Sequence, residues 1–335
     1  MDELRSDPIT GRRVLIAEGR SARPSDYIVR GDSQAQHSAS ADNCPFCAGA
    51  EQQTPSPNQQ VLDENGRWQV RVIPNKYPAV TTQSAVEKHG EIVPPFSPPE
   101  QAYGEHEVII ESPRHVRDIT EVSVEQLATV LQVYRDRLLY WSADPRIRFA
   151  QIFKNYGYEA GASLEHVHSQ VLAMPFVPVT LESELQGASR HYQEHKNCAF
   201  CDLVTLELDQ RSRLIAEEEQ FIAFCAYAGR QPYETWVMPT AHESDYRKLT
   251  DAQAHSLATV LNRLLKKLHF LVPQLSYNLI LHTRPFSDFD PNQYHWHLEI
   301  VPRTTRLAGF EWGTGLFINP LSPESAAKIL RETKV

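Results

Sequence analysis

The feature that most constrains this chain is a pattern it states twice. Cys44-x-x-Cys47, His115 and His166-Val167-His168 are followed by Cys198-x-x-Cys201, His242 and His295-Trp296-His297. The single histidine precedes its His-x-His pair by 51 residues in the first set and by 53 in the second. A CxxC turn offers two thiolates to one ion, and zinc completes its tetrahedron with two further ligands from distant strands. The expected sets are therefore Cys44, Cys47, His115 and His166, then Cys198, Cys201, His242 and His295. Each is a closed, structural site tying a loop-rich segment to a sheet. His282 and His297 are alternative ligands for the second set. Thiolate and imidazole donors favour zinc, with iron as the alternative in the second site. A thioredoxin-like redox pair, or cysteines placed by chance, would not bring matching histidines.

Charge and composition narrow the class. Apolar residues make up 41% and charged residues 22%, which is ordinary for a globular protein. A net charge of −9 opposes a nucleic-acid partner and hence a zinc-ribbon binding protein, which needs basic faces. No apolar run reaches the roughly 18 residues of a membrane span. Met1 to Asp7 lacks the apolar core of a secretion signal, so a cytoplasmic location is expected. There, CxxC pairs hold metal or do redox work more often than they form structural disulfides. Cys225, outside both pairs, reads as a small buried apolar residue.

Residues 31–42, 51–66 and 84–101 are polar and read as loops. Between and after them, strands are expected at 68–80, 106–112, 148–155 and 166–174. In the second half they are expected at 213–215, 220–226, 233–238, 277–282 and 294–301. Ser123-x-x-Gln126 and Thr250-x-x-Gln253 are capping boxes, each opening a long helix. Both helices contain Leu-Ala-Thr-Val-Leu, at 127–131 and 257–261. The order is thus repeated, and the fold class is α+β: two similar, mainly antiparallel units, 1–177 and 178–335, each with one long helix.

The segment Gly161-Ala-Ser-Leu-Glu-His166-Val-His168-Ser-Gln170 is the expected chemical centre. On a strand, alternate side chains share a face, so His166, His168 and Gln170 point the same way. With His166 fixed by metal, His168 is held rigidly beside it. A neutral imidazole can attack phosphorus and form a covalent intermediate, provided a backbone carbonyl holds the proton on its other nitrogen. Gln170, Ser163 and Asn155 supply donors where charge develops. In the second half Glu299 stands where Gln170 would, and an ionised carboxylate cannot donate to a phosphate. That half is expected to be structural and catalytically silent.

These residues resemble the galactose-1-phosphate uridylyltransferase family of the histidine-triad superfamily. Its H-P-H-G-Q signature corresponds to His166-Val167-His168-Ser169-Gln170. Leu4–Arg12, Arg20-Ser-Ala-Arg23-Pro24, Cys44-Pro-Phe-Cys47, Phe153-Lys-Asn155-Tyr-Gly157 and Arg306-Leu-Ala-Gly-Phe310-Glu311 resemble further family segments, over nearly the whole chain. The resemblance implies histidine-triad-like halves and a ping-pong reaction through His168. It places Arg20, Arg23, Asn75, Asn155, Ser163 and Gln170 around the nucleotide and phosphates. It places Arg306, Phe310 and Glu311 toward the sugar phosphate. It also implies a homodimer, nucleotide-sugar and sugar 1-phosphate substrates, and no redox cofactor. The departures are Val167, Ser169, Lys76 after Asn75, and the second CxxC. They resemble a branch that includes a plant adenylyltransferase splitting ADP-glucose with phosphate. Uridylyl transfer from UDP-glucose to galactose 1-phosphate is the leading expectation, and adenylyl transfer the alternative.

Overall fold

The computed structural model describes residues 3–18, 43–82, 103–286 and 289–335. Strands β1 (Glu3–Ser6) and β2 (Arg13–Ile16) form a small sheet with β13 (Phe317–Asn319). The large sheet contains β3 (Gln59–Leu62), β4 (Trp68–Pro74), β5 (Glu105–Ile110), β6 (Phe149–Tyr156) and β7 (His168–Met174). Its second half contains β8 (Leu214–Glu218), β9 (Phe221–Cys225), β10 (Thr235–Pro239), β11 (Tyr277–His282) and β12 (His297–Pro302). The helices are α1 (Val124–Ser142), α2 (Val179–His195), α3 (Ala199–Gln210), α4 (Asp251–Leu271), α5 (Gly309–Thr314) and α6 (Pro323–Glu332).

The strand order is β3-β4-β5-β7-β6-β11-β12-β10-β9-β8. Read from either end to the middle it is the same motif, so the expected duplication is present. The two expected sheets are one: β6 and β11 pair antiparallel, from Tyr156–Tyr277 to Ile152–Leu281, and join the halves at their edges. This burial of two edges removes the exposed ladder groups that each half alone would present.

α1 and α4 pack together over one face of this sheet, in a core that takes Val70, Val72, Ile109, Ile152 and Val171 from the first half. The second half contributes Val237, Leu279, Leu281, Leu298 and Ile300. In both repeated pentapeptides the leucines, alanine and valine are buried. The intervening Thr129 and Thr259 hydroxyls each donate to the carbonyl four residues back, Glu125 and His255. The helix starts differ. Thr250 and Gln253 close the expected capping box. At α1 only half of it forms: Ser123 accepts from Gln126 N, while the Gln126 amide donates to the carbonyls of Gln69 and Glu111. A buried backbone acceptor without a partner is costly, so these two carbonyls claim the side chain.

The other face separates the halves. Over the second half it is covered by α2 and α3, whose Leu181, Leu185, Phe200 and Leu203 pack with Phe224, Trp236 and Tyr294. Over the first half it carries the CxxC loop, where Cys44 and Phe46 pack on Ile73, Val108 and Ile110. α2 and α3 had no counterpart among the expected elements. The 166–174 strand begins at His168 and the 294–301 strand at His297, so His166 and His295 both precede their strands.

Candidate functional site

β6 ends in the segment Asn155-Tyr-Gly157. Gly157 has φ +79°, and a Cβ there would lie 2.2 Å from Ser276 Oγ, so the turn requires glycine. The chain then passes Ser163, which is exposed, and returns through His166 into β7.

At His166 the ring Nε2 donates to the Ser112 carbonyl at 2.9 Å, leaving Nδ1 free. That Nδ1 lies 3.4 Å from Cys44 Sγ and 3.6 Å from Cys47 Sγ, and His115 Nδ1 lies 3.3 Å from Cys47 Sγ. The second set repeats this: Cys201 Sγ is 3.1 Å from His242 Nδ1 and 3.6 Å from His295 Nδ1. His242 Nε2 donates to the Pro291 carbonyl at 3.0 Å. Within each set all ligand atoms lie within 4.8 Å of one another. Tetrahedral zinc with ordinary bond lengths places sulfur and nitrogen about 3.6 Å apart, so both donor sets fit a metal. Burial holds His166 down to about 4 and His295 to about 3, keeping them the neutral imidazoles that ligation requires.

His282 and His297 are not part of the second cysteine set. With Glu184 they form a third grouping. His282 Nδ1 lies 3.1 Å from Glu184 and its Nε2 3.4 Å from Glu299. Burial opposes its charge, but these two carboxylates raise it to about 10. Both ring nitrogens therefore face anions as a protonated imidazolium, unlike the free Nδ1 atoms of the cysteine sets.

His168 is 7% exposed. Its Nδ1 donates to the His166 carbonyl at 2.7 Å, which fixes the tautomer and leaves Nε2 unprotonated. Burial and the Lys154 ammonium lower its proton affinity, so the ring is neutral near pH 7. The Phe46 ring meets it edge-on at 5.6 Å. Gln170 shares the face of His168, as alternation predicts. Its Oε1 faces His106 Nε2 at 2.8 Å. His106 Nδ1 accepts from Ala79 N, so Nε2 carries the hydrogen and donates to Gln170. With its oxygen turned to His106, the Gln170 amide presents its NH2 on the other side as donor. Sequence reasoning missed His106. The available signal was its place in the strand antiparallel to β7, on the same face as Gln170.

Asn75 lies beside this group: its Oδ1 accepts from Tyr77 N, and its Nδ2 is 3.2 Å from His106 Nε2, a contact between two N–H groups. Asn155 Oδ1 accepts from Asn278 at 2.8 Å, which leaves its own NH2 unengaged by that bond. Arg306 is exposed and pairs with Glu159, in the turn just before Gly161. Phe310 is 47% exposed on α5, and the Glu311 carboxylate accepts from Ala308 N, capping that helix. Among the described residues no hydrogen bond joins Ser163, Phe310 or Glu311 to His168 or Gln170. Arg20 and Arg23 lie outside the described residues.

The second half fills the equivalent space. His297 also bonds through Nδ1 to the carbonyl two residues back, at 3.2 Å. Its ring is 0% exposed, stacked between His282 (4.5 Å, 10°) and Trp236 (4.5 Å, 25°). Glu299 pairs with Arg230 at 2.6 Å and accepts from Trp236 Nε1 at 3.2 Å. Burial opposes its charge, yet Arg230 and His282 hold this carboxylate well below the usual range.

Known proteins resemble this chain over its whole length, in sequence and in fold. Residues 1–178 match the family described as galactose-1-phosphate uridyl transferase, N-terminal domain, and residues 102–333 match one described as a domain of unknown function. An ADP-glucose phosphorylase of Arabidopsis thaliana is 34% identical, over 99% of this chain and 93% of the relative. A galactose-1-phosphate uridylyltransferase of Thermotoga maritima is 28% identical, over 100% and 99%. Among solved structures, that of an Arabidopsis thaliana ADP-glucose phosphorylase with bound ADP-glucose has a TM-score of 0.84 at 31% identity, covering all of both chains. A uridylyltransferase structure has a TM-score of 0.72 at 27% identity, over 99% and 98%. With that family matched over residues 1–178 and a 34% identical relative spanning 99% of it, the chain belongs to the galactose-1-phosphate uridyl transferase family of nucleotidyltransferases.

Proposed function

We propose that the chain transfers a nucleotidyl group from a nucleotide sugar through a covalent intermediate on His168. The observation that carries this reading is the 2.7 Å bond from His168 Nδ1 to the His166 carbonyl, beside the Gln170 amide. It leaves Nε2 as a neutral nucleophile with a donor on the same face. Nε2 attacks the α-phosphorus, a P–N bond forms, and the bond from the α-phosphorus to the bridging oxygen breaks. The departing sugar 1-phosphate keeps that electron pair. Gln170 donates to the phosphoryl oxygens where charge grows, with Asn155 and Ser163 as further donors. A second phosphate or sugar 1-phosphate then attacks phosphorus from the same side of the pocket, releasing His168. Arg20, Arg23 and Asn75 hold the nucleotide and phosphates; Arg306, Phe310 and Glu311 approach the sugar phosphate.

Zinc in both Cys/His sets is structural in this reading. In the first set Cys44, Cys47, His115 and His166 would hold the ion and so fix His166, whose carbonyl orients His168. We assign the halves 1–177 and 178–335 to catalysis and support, and place the protein in the cytoplasm as a homodimer.

Uridylyl transfer between UDP-glucose and galactose 1-phosphate is supported by the family match and by relatives such as that of Thermotoga maritima. Adenylyl transfer from ADP-glucose to phosphate is supported by the higher identity of the plant relative. One experiment tests the chemistry and separates the two. The protein is mixed with UDP-glucose or ADP-glucose without acceptor and weighed by intact mass spectrometry. An added UMP or AMP identifies the base, and discharge by galactose 1-phosphate or inorganic phosphate identifies the acceptor. No adduct with either donor removes the histidine-nucleophile reading.

A further inference from the structure

The duplicated half serves as an internal control, because its registers assign an equivalent to each residue of the first. Gln170 pairs with Phe153 and Val108; Glu299 pairs with Ile280 and Trp236. Phe153 is therefore equivalent to Ile280, and Lys154 to Leu281. On the neighbouring strands Ser169 is equivalent to Leu298 and Glu111 to Pro239. Seven residues beyond the first leucine of each repeated pentapeptide stand Tyr134 and Leu264.

In the second half this set is apolar: Leu281, Leu298 and Leu264 are buried in the core beneath α4. In the first half it is a buried polar network. Lys154 Nζ lies 2.8 Å from Glu111 Oε2, with the two side chains 1% and 0% exposed. Ser169 and Tyr134 hydroxyls both donate to Glu111 Oε1. Burying an ion pair where apolar side chains would serve is neutral or unfavourable for stability. The second half demonstrates that this fold accepts apolar residues there, with leucine at the places of Lys154, Ser169 and Tyr134 and Pro239 at that of Glu111.

The ladder shows what the pair does. β11 and β12 stay paired as far as His282–His297. β6 and β7 part after Phe153–Gln170, two residues earlier in the equivalent register. That parting opens the sheet between Asn155 and His168. The Val167 carbonyl accepts from Glu111 N toward β5, so the carbonyl of His168 points the other way, toward β6. With the ladder open it has no backbone partner there. Lys154 Nζ donates to it at 2.9 Å.

We propose that the Lys154–Glu111 pair is a positioning device for His168: the ammonium, anchored by Glu111, caps the open ladder and holds the nucleophile's backbone while the gap beside it stays clear for substrate. Lys154 and Glu111 sit on the face opposite the His168 ring and act through its main chain. This inference rests on His168 being the nucleophile.

The test replaces both members by an apolar side chain, Lys154→Leu as at its counterpart Leu281 and Glu111→Leu where the counterpart is proline; Ser169 and Tyr134, already bonded to each other, keep that bond. The unaltered protein and this variant are each mixed with UDP-glucose and with ADP-glucose. Nucleotidylation is followed by rapid quench, and the adduct is mapped to His168 by peptide mass. The expected result is a melting temperature within about 5 °C of the unaltered protein, half-saturation within about threefold, and a first-order rate constant lower by about tenfold or more. A rate constant within about twofold, or a loss accompanied by an equally clear fall in melting temperature, overturns the proposal. A measurement on the unaltered chain decides the matter if the variant does not fold. In lysine-selective nitrogen NMR the Lys154 ammonium resonance shifts when His168 becomes nucleotidylated, and an unmoved resonance overturns the proposal. Absence of any adduct on the unaltered protein instead fails the proposed function itself.

Discussion

His106 Nε2 and Gln170 Oε1 lie 2.8 Å apart on neighbouring antiparallel strands, and the bond between them decides which end of the Gln170 amide faces the site. His106→Phe keeps the ring volume but removes the donor, so the amide can turn its oxygen inward. We expect the first-order nucleotidylation rate to fall about tenfold with little change in half-saturation. Gln170→Glu, which copies Glu299, is expected to cost about 10²–10³-fold. Rapid-quench kinetics of both variants check this; wild-type rates for His106→Phe would show that the amide is oriented by other means.

The two His-x-His segments are expected to respond unequally. His168→Asn should abolish the nucleotidyl adduct, lowering turnover about 10⁴-fold or more. His297→Asn should leave turnover within about twofold and lower stability by about 1–2 kcal/mol, because it removes two stacking contacts. Turnover assays and thermal unfolding of both variants distinguish the outcomes. Equal, large losses of turnover would contradict one working half.

Each Cys/His set should hold one metal. Cys44→Ser and Cys201→Ser are each expected to lower the metal content by one equivalent per chain, measured by mass spectrometry of the acid-released metal. The kinetic effects should differ. Loss of the first set frees His166, whose carbonyl orients His168, and should slow nucleotidylation about 10–100-fold. Loss of the second should act mainly on the melting temperature.

Acid stability should depend on Asp118. This buried carboxylate accepts from Tyr277 OH at 2.8 Å and lies 3.3 Å from His269, so it ties the first half to β11 and α4 of the second. Burial opposes its charge, but the His269 imidazole beside it and the Thr120 N–H that donates to it hold its proton affinity below the ordinary aspartate value of 3.8. A depressed carboxylate contributes stability above its unfolded value and loses it as pH falls through the folded one. Asp118→Asn should therefore cost about 2 kcal/mol near pH 7, and the gap from wild type should close as pH drops below about 4. Urea unfolding at both pH values reads this directly; a constant gap would refute it.

Much of this molecule was legible because metal ligation and strand alternation leave spaced marks. The gathering of eight Cys and His side chains into two sets, the shared face of His168 and Gln170, and the two long helices follow from such spacing. The joining of both halves into one sheet did not, because nothing in β6 or β11 distinguishes an edge from a centre until the partner is known. His106, Lys154 and Glu111 were hidden for a related reason. Their meaning lies in neighbours 64, 14 and 43 residues away, across strands whose register had first to be fixed. The third grouping of Glu184, His282 and His297 needed α2, which carries no motif of its own.

The central β6–β11 seam has a consequence for how such a chain can diverge. Two identical half-chains meeting about a twofold axis must present the same residues to each other, so neither can lose its pocket without the other losing it too. Covalent succession lifts that obligation. Once both partners lie on one polypeptide, Lys154 can face a parted strand while its counterpart Leu281 closes one, and α2 and α3 can cover a single side. The seam keeps the geometry of a twofold pairing while leaving its two members free to differ, as they do at Lys154 and Leu281.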